Sequence, residues 1–145
     1  MLIRKGIKLG KKVDELSVGE RLHLIEKIED KDLLLYLGLT NDSNPLYIQH
    51  DYAIDTPYKK PIVPVIMLNG IISAAISKHI PGPGSRIIGQ NLEYDEPVFH
   101  YETINIVLEV QHIDVSQNII DVSVIATNEN QKTVIEGIVR VMPPL

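Results

Sequence analysis

From Ile62 to Ile80 the chain is almost continuously apolar, with Pro64 near its start and Pro81-Gly82-Pro83-Gly84 at its end. Proline suits the first turn of a helix, where its missing N–H would have had no partner, and the Pro/Gly run cannot prolong one. The spacing therefore predicts a single long helix with Pro64 in its first turn. Ile66, Met67, Gly70, Ile71, Ala74 and Ala75 spread over more than one face, which predicts a helix wrapped on most sides by other structure. The small residues Gly70, Ser73, Ala74 and Ala75 predict that a sheet approaches it closely. The most apolar part, Ile62 to Ile76, is shorter than the roughly 20 residues of a membrane span and carries Asn69, Gly70 and Ser73, so burial inside a protein is expected instead.

What would wrap this helix is legible downstream. Ile87 to Tyr94 reads as one strand. Ile104, Ile106, Leu108 and Val110 alternate with Thr103, Asn105 and Glu109; Ile120, Val122 and Val124 alternate with Asp121 and Ser123; Val134 to Val141 closes the set. Asp114 to Asn118 and Asn128 to Gln131 are turn-rich, and connections this short imply antiparallel hairpins. Upstream, Leu22, Leu24 and Ile28 alternate with His23 and Lys27, which predicts a further strand with His23 on its exposed side. At Asp30, a candidate cap, the period changes, and Leu33, Leu34 and Leu37 line one helical face as far as Gly38. Gln49 to Asp55 predicts one or two helical turns, followed by a connector from Thr56 to Pro61. With 145 residues the chain fits one domain, residues 1–145, of α+β class: an antiparallel sheet around one long central helix.

Composition narrows the functions. The formal charge of -5 argues against general nucleic-acid binding, which needs a basic face. The absence of cysteine excludes disulfides, thiolate nucleophiles and Cys-based metal sites. Met1-Leu2-Ile3-Arg4-Lys5 is basic but lacks the apolar run of a secretory signal, so a cytoplasmic protein is expected. Neither a Gly-rich phosphate loop nor a metal-ligand cluster nor a Ser-His-Asp arrangement is present, so no metal and no cofactor are expected.

The stretch that carries chemistry is Leu39-Thr40-Asn41-Asp42-Ser43-Asn44-Pro45-Leu46-Tyr47. Asn and Ser side chains bond nearby backbone groups and Pro45 sets its own backbone angle, so such a loop can fix the Asp42 carboxylate in one orientation. A helix-capping turn fits the same residues, and the local pattern leaves both readings open.

Asp42-Ser43-Asn44-Pro45-Leu46, Ala53, Pro61-Ile62-Val63, Pro81-Gly82-Pro83-Gly84-Ser85, Gly89-Gln90-Asn91-Leu92 and Pro97-Val98-Phe99 follow one another in an order and spacing that resembles the MaoC-like (R)-specific enoyl-CoA hydratases, from about Val18 to Pro143. The resemblance implies a hot-dog fold, a homodimer joined edge to edge through its sheets, and hydration of enoyl thioesters carried on coenzyme A or an acyl carrier protein. That reaction needs a base for water, an acid for the α-carbon and donors for the thioester oxygen. The family supplies the first two from an Asp and a His five residues apart. Here Asp42 matches the Asp, but Tyr47 stands at the histidine's position, and a phenol donates a hydrogen bond at neutral pH without being a useful base.

Two ways of meeting the need remain. Asp42 acts as both base and acid while Tyr47 orients the water, or His50 or His100 takes the imidazole's place. The family's His-Gly-Met run, whose glycine N–H faces the thioester oxygen, is replaced by Pro64-Val65-Ile66, which gives that task to the Val65 N–H at a helix start. The resemblance also implies a pocket that includes Asn44, Pro64 and Ser73, the last of which fits equally a small polar residue packed within a helix. Lys59 and Lys60, with Lys78 and His79, are candidates for the carrier's phosphates. Two other functions fit the same residues: an acyl-thioester-binding hot-dog protein without catalysis, and a thioesterase with Asp42-activated water.

Overall fold

A computed structural model describes residues 8–145; the basic stretch 1–5 lies outside the described residues. The alternating segments form one five-stranded antiparallel sheet from β1 (Arg21–Lys27), β2 (Arg86–Glu93), β3 (Thr103–Asp114), β4 (Ile119–Thr127) and β5 (Thr133–Met142), in the spatial order β1-β3-β4-β5-β2. β3, β4 and β5 are consecutive hairpin strands, as their short connections require. β1 pairs with β3, with Leu24 opposite Ile106, and β2 pairs with β5, with Leu92 opposite Gly137, so these two strands are the sheet's edges. His23 is exposed on β1, as its place in the alternation indicates.

Helices α1 (Asp30–Thr40), α2 (Pro45–Ile48), α3 (His50–Ala53) and α4 (Val65–Lys78) lie between β1 and β2 in sequence. Asp30 begins α1, and Glu29 is its cap. α4 buries Leu68, Ile72, Ala75 and Ile76. These residues recur at helical spacing and join Ile104, Ile106, Leu108, Val122, Val124 and Val139 in the core.

Two expectations for α4 need correction. Pro64 is its N-cap, with an extended ψ of 134°, and not a residue of its first turn. The helix is also not wrapped on most sides: Ile66 is 58% exposed, Gly70 and Ala74 are exposed, and a side chain at Gly70 would meet open space. The sheet covers only the stripe turned toward it. The opposite stripe faces α1 across a groove of about 630 Å³, into which Leu35, Tyr36, Leu39, Ile66, Gly70 and Ala74 project. Apolar residues all round a helix record apolar surface, not the number of elements that cover it. No helix among the described residues is long and apolar enough to cross a membrane.

Candidate functional site

The site is built where α1 stops. Asn41 takes the left-handed conformation (φ 59°, ψ 22°) and its N–H closes on Leu37 O at 2.9 Å, a helix end that turns the chain back over its own last turns. Asp42 thereby meets Tyr36. The Tyr36 hydroxyl donates to Asp42 Oδ2 at 2.6 Å, the Asn44 N–H donates to Asp42 Oδ1 at 3.3 Å, and the Asp42 N–H donates to Thr40 Oγ1 at 3.2 Å. Each carboxylate oxygen therefore has one donor and keeps lone-pair capacity for another.

Asp42 is not the capping residue that its sequence context permits. That role falls to Asn44, whose Oδ1 accepts from the Leu46 N–H at 3.0 Å, with Pro45 as the first residue of α2. Asp42 makes the neighbouring Asx turn.

α2 carries Tyr47, half-buried, to the wall of a second groove of about 480 Å³ that Leu33, Leu37, His50, Lys60 and His100 share. The Ile62 N–H bonds to Leu46 O at 3.1 Å and the Val63 N–H to Val98 O at 2.7 Å, which ties the entry of α4 to the helix bearing Tyr47. The first bond of α4 runs from the Met67 N–H to Pro64 O at 3.0 Å. The Val65 N–H precedes that turn and so has no acceptor within its helix.

The remaining sequence candidates are placed as follows. The Ser73 hydroxyl donates to Asn69 Oδ1 at 3.1 Å, and Asn69 bonds in turn to the Gln90 side chain at 2.6 Å, so Ser73 belongs to a polar network that joins α4 to β2. Lys59 and Lys60 are exposed; the Lys59 ammonium reaches Ile54 O at 3.4 Å, and the Lys60 ammonium lies 4.7 Å from the centre of the Phe99 ring. Lys78 and His79 sit at the far end of α4, about 21 Å along the helix from Val65, beside Gly10 and Gly82. Asp42, Asn44 and Tyr47 thus follow one another along one turn and the helix it starts, Ile62 ahead of Pro64 and Val65 is tied to Leu46 of that helix, and Lys78 and His79 lie at the far end of α4.

His50 is exposed. Both ring nitrogens of His100 are buried without a hydrogen-bond partner, and the Asp30 carboxylate lies 3.9 Å from Nδ1. Burial lowers the His100 pKa from its ordinary value and outweighs the opposing effect of Asp30. A depressed histidine takes up its proton more readily when unfolded, so its contribution to stability is present above the ordinary histidine range and is lost as pH falls through it. Thermal midpoints of the wild type are expected to fall between about pH 7 and 5. A His100→Leu variant is expected to show a flatter profile there, and equal slopes would contradict this assignment.

Tyr36 is the residue that sequence reasoning missed. Its hydrogen bond to Asp42, followed by its burial, raises the phenol's pKa above the ordinary tyrosine value, so it stays a donor throughout the neutral range. The available signal was Asn41, a residue tolerant of left-handed backbone directly between a helix and Asp42, because that turn folds position 42 back onto position 36.

A five-stranded antiparallel sheet with α4 across one face, and an acid presented by the turn that ends α1, define a hot-dog protein with a loop-borne carboxylate. Residues 15–132 match the MaoC-like domain, and the chain belongs to that family. It is 30% identical over 131 residues to the (R)-specific enoyl-CoA hydratase of Rhodospirillum rubrum, covering 90% of each chain. It is also 30% identical over 95 residues to the enzyme of that name from Aeromonas caviae, covering 66% of this chain and 71% of the other. Among solved structures, the unliganded R-hydratase of Pseudomonas aeruginosa superposes with a TM-score of 0.85 at 30% identity, over 93% of this chain and 86% of the other.

Proposed function

We propose that this chain catalyses the reversible addition of water to trans-2-enoyl thioesters, giving (R)-3-hydroxyacyl thioesters. The observation that carries this reading is the Asp42 carboxylate, held by Tyr36 and Asn44 on the turn that ends α1, in a chain that shares a family and a fold with (R)-specific hydratases. Asp42 takes a proton from water as the water oxygen bonds to the β-carbon. The double-bond electrons move onto the thioester oxygen, which the Val65 N–H meets at the positive end of α4. Asp42 then returns the proton to the α-carbon, the thioester carbonyl re-forms, and water has been added with nothing left over. Tyr47 orients the attacking water in place of the family's histidine. Asn44, Pro64 and Ser73 border the acyl group; Lys59 and Lys60 meet the phosphates of coenzyme A or an acyl carrier protein.

One acid/base group in place of two costs about 10²- to 10⁴-fold in rate. Slow hydration of crotonyl-CoA is therefore expected, with no release of free thiol. Thiol release without hydration assigns thioester hydrolysis instead, and acyl-CoA binding in calorimetry without turnover assigns a binding protein. The same proposal places the protein in the cytoplasm as a homodimer joined through an exposed sheet edge, since unpaired edge strands invite pairing. Sedimentation of a monomer at micromolar concentration would contradict the dimer.

A further inference from the structure

We infer that Tyr36 is the positioning residue for Asp42: it takes over the orienting duty that an imidazole partner would otherwise share and makes Oδ1 the oxygen that exchanges the proton. This rests on the hydratase reading of Asp42. The phenol's hydrogen bond to Oδ2, at 2.6 Å, is a short charge-assisted one, whereas Oδ1 holds only the longer contact to the Asn44 N–H at 3.3 Å. A proton arriving from water therefore settles on Oδ1, because on Oδ2 it would have to displace the stronger donor. A single carboxylate that must accept a proton and return it to the neighbouring carbon works only if it does not rotate between the two events, and Tyr36 stops that rotation.

Among the described residues the one hydrogen bond of the phenol at or below 3.5 Å is that to Asp42. Its Oη projects where α1 borders the groove facing α4, and α4 contributes only Ile66, Met67, Gly70, Ile71 and Ala74 there. The charged groups lining that groove come from elsewhere: Glu26 and Lys27 on β1, Glu29 beyond it, and Lys31 and Asp32 on α1. Tyr47 and the Thr40 hydroxyl are the other polar side chains that act on Tyr36.

The test is Tyr36→Phe, which removes the donor and keeps the ring. Losing a charge-assisted hydrogen bond corresponds to roughly a 10- to 100-fold fall in kcat, with KM changing less than about threefold. Independently of activity, and of whether the variant folds, the Tyr36 ring in ¹³C-tyrosine-labelled wild type is expected to titrate at higher pH than in Asp42→Asn. Unchanged kcat in Tyr36→Phe, a fall in kcat matched by an equal rise in KM, or identical Tyr36 titration in wild type and Asp42→Asn, overturns the positioning role while the hydratase reading stands. An inert wild type overturns both.

Discussion

Asp42→Asn is expected to lower kcat for crotonyl-CoA hydration by about 10³- to 10⁴-fold, the upper range for removing a proton-transfer group, because the proposed mechanism routes both proton transfers through it. The substitution is nearly isosteric. Its amide oxygen still accepts from the Tyr36 hydroxyl, the left-handed turn at Asn41 is untouched, and Asn44 still caps α2. What disappears is the capacity to hold a proton, so KM and the thermal midpoint are expected to stay close to wild type. Activity retained within about tenfold would show that another group, His50 or His100, carries the proton.

Gly137→Val is expected to destabilise the fold by an amount on the order of 3 kcal/mol or more, seen as a fall of roughly 10 °C in the thermal midpoint. Gly137 adopts φ 153° in β5, directly opposite Leu92 of β2. A Cβ there would run into Asn91 O and come within 2.9 Å of Leu92 Cα, both backbone atoms that cannot swing aside. Relief requires β2 to lift from β5, and β2 carries Gln90, which anchors Asn69 and through it Ser73. The control is Gly70→Ala, where the added Cβ meets open space in a helix interior and a gain of about 0.5–1 kcal/mol is expected. A Gly137→Val midpoint equal to wild type would mean that the close β2–β5 approach does not exist in solution.

The sheet was largely legible in the sequence because period-2 alternation survives in β1, β3 and β4, and because the turns at residues 114–118 and 128–131 are too short for anything but hairpins. The helix α4 was legible as a helix, but its environment was not. Apolarity at Ile66, Gly70 and Ala74 reads the same whether a sheet or an open groove lies opposite, and only the tertiary arrangement distinguishes them. Local signatures in Asn and Pro marked the loop and helix starts that carry Asp42, Tyr47 and Val65, while the roles of these residues came only from the family resemblance. Tyr36 was not, because within α1 it reads as one more apolar residue, and its role arises from a chain reversal at Asn41 that no periodicity records. The bond of Ser73 to Asn69 was not legible, because the network it joins depends on β2 supplying Gln90, seventeen residues further along.

Hydration of crotonyl-CoA in deuterium oxide tests the lone-carboxylate site most directly. In the proposed mechanism Asp42 lies on one side of the substrate, takes the deuteron from the attacking water and returns it from the same position. The new C–O bond at the β-carbon and the single deuterium at the α-carbon must therefore be on one face, and the proton couplings of the isolated (R)-3-hydroxybutyryl product are expected to report syn addition. Anti addition, or deuterium delivered to both faces, would show that a second group on the opposite side of the substrate supplies the α-proton.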